Sequence, residues 1–137
     1  MIDQTDFKIL SLLCGNSRLQ WREIGEQVHL TGQAVANRIR RMEELGIIEG
    51  YTLRLNERKL GKAMTAFVTV FMKTVDHPAF HQFITEKEAV VEANRISGEG
   101  CYLLKVTVSG QDELSLFLDE ILKYGNYRVN LSIGKLK

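Results

Sequence analysis

The sequence contains little proline, little cysteine and no long apolar run. Its 137 residues include one proline and two cysteines, Cys14 and Cys101. Two cysteines so far apart form neither a disulfide framework nor a zinc cluster. No apolar stretch approaches the roughly 18 residues needed to cross a bilayer, and the acidic start of the chain lacks the basic region of a signal peptide. We therefore expect a cytoplasmic protein with no membrane partner.

Charge of neither sign predominates. The chain has 18 Lys and Arg against 17 Asp and Glu, a formal net charge of +1. This total argues against a nucleic-acid-binding protein, because such domains are usually basic. The average hides a local exception, since residues 31–42 hold three arginines and no acid. If this stretch binds DNA, the low total charge predicts that several copies must act together.

The hydrophobic period changes once along the chain. Up to about Gly46, apolar residues recur at the i, i+3/i+4, i+7 spacing that lines one face of a helix. Beyond Gly50, β-branched and aromatic residues alternate as in strands, beginning in residues 51–55. The change predicts a helical unit of about fifty residues followed by an α+β unit of about seventy-five.

The second unit repeats a strand, helix, strand pattern. Strands are predicted at 64–75, 90–96, 101–109 and 127–135, with helices at 78–87 and 112–124. The order βαββαβ predicts a ferredoxin-like fold with both helices on one face of an antiparallel sheet. The first strand is apolar on both sides, although the helices can cover only one face. We therefore expect a second copy of the chain to bury the other face.

The helical unit contains a pattern typical of a DNA-reading helix. A helix at 21–28 and a helix beginning after Thr31, a good N-cap, flank a tight turn, and Gly46 is suited to end the second helix. Val35, Ile39 and Met42 are predicted to face inward. The outward face carries the candidate DNA contacts, which are Thr31, Gln33, Ala34, Asn37, Arg38, Arg40 and Arg41.

Chemistry divides these candidates into two groups. Gln33, Ala34 and Asn37 are candidates for base edges in the major groove, and arginines pair with guanine or phosphate. Arg38 and Arg41 are expected to make the main contacts, with Arg40 on a phosphate. On charge alone, an ordinary solvated helix face explains the pattern equally well.

Several segments together carry a family resemblance. They are Ile2-Asp3, Asn16-Ser17-Arg18, Val28-His29-Leu30-Thr31 and the run from Arg38 to Tyr51, which ends in LGIIEGY. The chain resembles the Lrp/AsnC (feast/famine) family of prokaryotic transcriptional regulators. The resemblance implies a winged-type helix-turn-helix at 1–50, a hinge strand or linker at 51–62, and a ferredoxin-like (RAM-type) domain at 63–137.

The resemblance also implies the partners. The last domain of such regulators mediates dimerisation and often binds an amino acid, so we expect double-stranded DNA, a homodimer that assembles to a tetramer or octamer, and an amino-acid effector. The location implied is the nucleoid. Two alternatives stay open, an architectural DNA-compacting protein with little sequence preference and a metabolite-binding module that regulates an enzyme.

One loop bears on the effector. Where the resembled family has Gly-x-x-Asp-Tyr between the second and third sheet strands, this chain has the candidate effector residues Gly98, Glu99, Gly100, Cys101 and Tyr102. The glycines permit positive φ and leave N–H groups free to meet a carboxylate. Cys101 replaces the aspartate, and a neutral thiol cannot hold an α-ammonium group. We expect either no standard amino-acid effector or an altered mode of binding, and a simple tight turn explains the glycines equally well.

Three details of the helical unit carry expectations. Gln20 is a weak N-cap, although Glu23 can reach back to it. Gly25 stands where the resembled family has alanine and permits a closer helix approach. Asp6 is expected to pair with Arg18 across the corner between the first two helices.

No enzyme active site, metal site or cofactor site is predicted. The sequence has no Gly-rich phosphate loop and no nucleophile elbow. His77 precedes Pro78 and is expected outside the helix, so that His77 and His81 do not form a metal pair. Cys14 is expected to be a small buried residue.

Overall fold

The computed structural model describes all 137 residues, and they form two compact units, Met1–Arg54 and Leu55–Lys137. The first unit contains α1 (Gln4–Gly15), α2 (Trp21–Val28) and α3 (Gly32–Glu44). One apolar stripe of each helix meets the others in a small core, which is formed by Ile9, Ile24, Val35, Ile39 and Met42. The inward face predicted for α3 is therefore confirmed.

Both ends of α3 follow from local sequence. Thr31 Oγ1 accepts a hydrogen bond of 3.1 Å from the Ala34 N–H, as expected of an N-cap. At the other end Gly46 has φ 73°, and the Ile47 N–H donates to the Met42 carbonyl at 2.9 Å. This arrangement satisfies carbonyls that the helix leaves unpaired. Both predicted ends of α3 are confirmed.

The second unit is a four-stranded antiparallel sheet with two helices. A short 3-10 turn (Glu57–Leu60) comes before the sheet. The elements are β1 (Met64–Met72), α4 (His77–Glu86), β2 (Val90–Arg95), β3 (Tyr102–Val108), α5 (Gln111–Ile121) and β4 (Gly125–Leu131). The strand order β2-β3-β1-β4 is that of the ferredoxin-like fold. The predicted α+β class and the βαββαβ order are confirmed.

The two faces of the sheet differ in burial. Ala66, Val68 and Val70 of β1 are fully buried, and they pack with Leu104 and Val106 of β3 in the core that the helices cover. On the opposite face of β1, the Phe67 side chain is 38% exposed. The helices do not pack on this side, where the Arg128 guanidinium lies 5.6 Å from the centre of the Phe71 ring.

Residues 51–56, expected to form a hinge strand or a linker, form no strand in the single chain, since a strand needs a partner for its backbone hydrogen bonds. The expectation for His77 is wrong, because it is the first residue of α4 rather than a residue outside it. Asp76 caps this helix through the Ala79 N–H, so Pro78 stands one position later in the first turn than expected. No helix is both long and apolar enough to span a membrane.

Candidate nucleic-acid interface and ligand loop

A close contact sets the turn between α2 and α3. The Leu30 N–H donates to the Gly25 carbonyl at 2.9 Å, and His29 adopts a left-handed conformation with φ 60°. A Cβ atom at Gly25 would overlap the carbonyl oxygen of Leu30. A side chain at this position would therefore require the turn of this chain to shift. The close approach at Gly25 is made by the backbone of the turn.

The Glu23 side chain caps the start of α2. The Gln20 N–H donates to Glu23 Oε1 at 3.1 Å, so the predicted return contact from Glu23 is confirmed.

The outward face of α3 carries a hydrogen-bonded polar row. Gln33 Nε2 donates to Asn37 Oδ1 at 3.1 Å, and Arg40 Nη1 donates to the same oxygen at 3.3 Å. All three side chains are exposed, with Ala34 half-buried beside them. The structure thus brings the predicted base-edge candidates and Arg40 together on one surface.

Arg38 and Arg41 make contacts that sequence analysis missed. Arg38 Nη1 lies 2.8 Å from Asp3 Oδ2 and 3.0 Å from Asp6 Oδ1. Arg41 Nη2 donates to the Met1 carbonyl at 2.6 Å. The segment before α1 therefore lies along one side of α3.

The carboxylates at this contact are strongly held. Asp3 and Asp6 also accept each other's backbone N–H, at 2.9 and 3.0 Å, which caps α1. Hydrogen bonds from Arg38 first, and from the Asp6 N–H second, lower the pKa of Asp3 from 3.8 to about 2. The same two carboxylates raise the pKa of Arg38.

The expected pair of Asp6 with Arg18 is wrong. Asp6 is 1% exposed, and its carboxylate meets Arg38 instead. At the corner that follows α1, only the Arg18 backbone is engaged, by the Asn16 side chain at 3.0 Å. Cys14 is also exposed rather than buried.

The loop between β2 and β3, residues 96–101, turns on two glycines with positive φ. Gly98 and Gly100 both have φ 89°, and a Cβ atom at Gly100 would lie 2.6 Å from Thr69 Cγ2. The Cys101 N–H donates to the Val70 carbonyl at 2.8 Å, so this N–H is not free for a ligand. Glu99 points outward to Arg128 at 3.5 Å.

Two histidines of α4 contact Tyr102, the first residue after the loop. The buried Tyr102 hydroxyl lies 2.6 Å from His77 Nδ1 and 2.8 Å from His81 Nε2. The two histidines are one helical turn apart, and each uses one ring nitrogen to hydrogen-bond the Tyr102 hydroxyl. A cavity of about 290 Å³ lies beside them, and its wall includes Thr85 and Arg95.

These features define a class of protein. A helix-turn-helix whose third helix presents amide and arginine side chains, followed by a ferredoxin-like domain with a glycine loop, is the architecture of a DNA-binding regulator with a sensor domain. A model of winged helix-turn-helix DNA-binding domains matches residues 2–49, and the model of the Lrp/AsnC ligand binding domain matches residues 65–137. The chain belongs to the Lrp/AsnC family of transcriptional regulators.

Individual relatives agree with this family. The chain is 51% identical over 136 residues to the HTH-type transcriptional regulator LrpB of Bacillus subtilis, covering 99% of this chain and 91% of that protein. It is 39% identical to LrpA of the same organism over 98% of this chain and 100% of LrpA.

Solved structures agree with the fold. Bacillus subtilis LrpC superimposes with a TM-score of 0.95 at 28% identity, over 100% of this chain and 98% of that one. A Neisseria meningitidis transcriptional regulator in complex with L-Met superimposes with a TM-score of 0.93 at 25% identity, over 100% of this chain and 93% of that one.

Proposed function

We propose that a dimer of this chain places two copies of α3 in successive major grooves. The observation that carries the proposal is the exposed row of Gln33, Asn37 and Arg40 on a helix without an acid before Glu43. Amide groups suit adenine edges and guanidinium groups suit guanine or phosphate. Thr31 and Ala34 lie at the leading end of the same face, and Arg41 lies at its trailing end.

The assignment distinguishes two kinds of arginine. Arg40 and Arg41 have no carboxylate partner in the structure, so their charge is available to phosphate. Arg38 already faces two carboxylates. We therefore assign the phosphate contacts to Arg40 and Arg41.

Two apolar surfaces support assembly of the chain with itself. Phe67 is exposed on the uncovered face of the sheet. Tyr51, Leu53 and Leu55 are also exposed, at alternate positions of an extended segment that has no strand partner. Exposed apolar surface of this kind is typical of an interface, and a twofold dimer buries the same patch from both copies. Dimers that join further through the sheet domain would form the tetramer or octamer expected from the family.

An amino-acid ligand is the effector that the loop supports best. The N–H groups of Gly98, Glu99 and Gly100 make no hydrogen bond in the structure, and such groups suit a carboxylate. The L-Met in the Neisseria meningitidis complex is a ligand of this chemical type. Because Cys101 stands where the resembled family has an aspartate, this position lacks the carboxylate that would hold the ammonium group, and we infer that selectivity comes from the ligand side chain.

Competition between duplexes tests the DNA-binding proposal. A labelled duplex from the region upstream of the protein's own gene is titrated at fixed salt against an unlabelled random duplex of equal length. We expect the random duplex to compete poorly. Equal competition would favour the architectural alternative, in which DNA is compacted with little sequence preference and no effector. An absence of binding to either duplex at low salt would favour the metabolite-binding module.

Calorimetry with each of the twenty amino acids tests the effector. We expect at least one apolar amino acid to bind, with binding lost in Gly100→Val and kept in Glu99→Gln, since the Glu99 side chain points to Arg128. Binding that survives Gly100→Val would place the ligand elsewhere.

A further inference from the structure

The cluster of Asp3, Asp6 and Arg38 joins the start of α1 to the middle of the DNA-reading helix. All three hydrogen bonds that Arg38 donates come from Nη1, to both oxygens of Asp3 and to one oxygen of Asp6. The Arg38 side chain is 29% exposed, whereas the Asp6 side chain is 2% exposed. The contact therefore includes a buried carboxylate, unlike an ion pair between two exposed side chains.

Arg38 cannot leave this contact for a phosphate without consequence. A buried carboxylate that loses its cationic partner is strongly destabilising, because the remaining charge has no water around it. Asp6 would be left in that condition. The second carboxylate, Asp3, holds the same nitrogen from the solvent side.

We infer that Asp3 and Asp6 are positioning residues for DNA recognition and that they act through Arg38. The cluster fixes the orientation of α3 against α1. In that orientation the major groove is contacted by both Asn37 and Arg41, which lie before and after Arg38 on α3. The inference rests on the proposed placement of α3 in the major groove. Two acidic residues beside the DNA-binding face would thus strengthen DNA binding.

Simple electrostatics predicts the opposite result from positioning. If Asp3 acted only through its charge, Asp3→Asn would remove repulsion from phosphate and tighten binding. If Asp3 positions α3, the same variant binds DNA more weakly. Asp3 is exposed, so Asp3→Asn is expected to fold. Glu44→Gln is the matched control, because Glu44 lies exposed at the end of α3 and has no ion pair.

The experiment measures DNA affinity against salt concentration, at a temperature where far-ultraviolet circular dichroism shows every variant folded. For Asp3→Asn we expect affinity to fall about fivefold to tenfold with the salt slope unchanged, and Asp3→Glu to restore most of the loss. Glu44→Gln should bind as tightly as the native protein or more tightly. Asp3→Asn binding as tightly as Glu44→Gln would overturn the inference.

A double-mutant cycle separates positioning from direct contact. If Arg38 acts through its carboxylates, the losses in Asp3→Asn and Arg38→Gln are not additive, because either change breaks the same cluster. A phosphate contact by Arg38 would instead give additive losses and lower the salt slope of Arg38→Gln by about 1, which would contradict the inference.

Arg41→Ala keeps the two proposals distinguishable. If Arg41→Ala lowers the salt slope while Asp3→Asn keeps native affinity, α3 lies in the major groove but Asp3 does not position it. If Arg41→Ala leaves the slope unchanged, both proposals are rejected.

Discussion

At the scale of single residues, Arg38 connects two parts of the first unit that are far apart in sequence. Asp6 and Arg38 are separated by 32 positions. The sequence predicts an arginine-bearing helix, but the partner of each charge depends on how α1 crosses α3. Hydrophobic periodicity does not determine that crossing. For this reason the expected partner Arg18 was wrong, whereas the local caps at Thr31 and Glu23 were right.

Asp3 makes the first unit sensitive to acid. Its pKa is lowered in the folded chain from 3.8 to about 2. A lowered carboxyl pKa gives stability that is fully present above pH 4 and is lost as pH falls towards 2. We expect the urea midpoint of the first unit to fall between pH 4 and pH 2, and this part of the fall to be absent in Asp3→Asn. Fluorescence of Trp21, the single tryptophan and a residue of α2, follows this unit. An identical acid response in the two proteins would contradict the contact with Arg38.

At the scale of elements, the turn between α2 and α3 places the Leu30 carbonyl directly against Gly25. Alanine is the better helix former by up to about 1 kcal/mol, so propensity alone predicts that Gly25→Ala stabilises α2. The structure predicts the reverse, because the new Cβ would overlap a backbone carbonyl that cannot rotate away. Overpacking of this kind costs about 1–3 kcal/mol.

We therefore expect Gly25→Ala to lower the free energy of unfolding of the first unit by about 1–2 kcal/mol. Gly15→Ala is the matched control, since nothing lies within 4 Å of a Cβ atom at this helical position. That variant should be neutral or slightly more stable. Equal stability of the two alanine variants, measured by urea denaturation, would show that the turn can relax.

Element types were predictable where the hydrophobic pattern was long. All three helices of the first unit and the four strands of the sheet follow it. Residues 51–56 alternate like a strand but have no strand partner in one chain, so the choice between hinge strand and linker depends on contacts outside the segment. The predicted start of α4 is wrong. His77 was assigned by the rule for residues before proline, and the Asp76 cap made the helix begin one residue earlier.

At the scale of the whole molecule, the proposal of self-assembly depends on the sheet face opposite the helices. The alternation of β1 predicted an apolar outer side, and Phe67 is found there, partly exposed. Which residues meet across that face cannot be read from one sequence, because both surfaces belong to the same pattern. The near-neutral net charge also favours assembly of several copies on DNA, because a single copy offers few phosphate contacts.

Phe67→Asp tests this surface. An aspartate would be unfavourable in an apolar interface, so we expect the variant to elute and sediment as a smaller assembly than the native chain while its sheet stays folded. Val75→Asp, at a position 95% exposed in a loop, is the matched control and should assemble like the native chain. Assembly of Phe67→Asp to the same size as the native chain would show that this face is not an interface.

The salt dependence of DNA binding tests the central claim most directly. The affinity of the native chain and of the Arg40→Ala, Arg41→Ala double variant is measured across a range of salt concentrations. Lys123→Ala, which removes one positive charge from the second unit, is the control. Each phosphate contact contributes about 0.9 to the slope. The account predicts a slope lower by about 2 in the double variant and unchanged in Lys123→Ala. A double variant with the native slope and affinity would contradict the assignment of α3 as the DNA-reading helix.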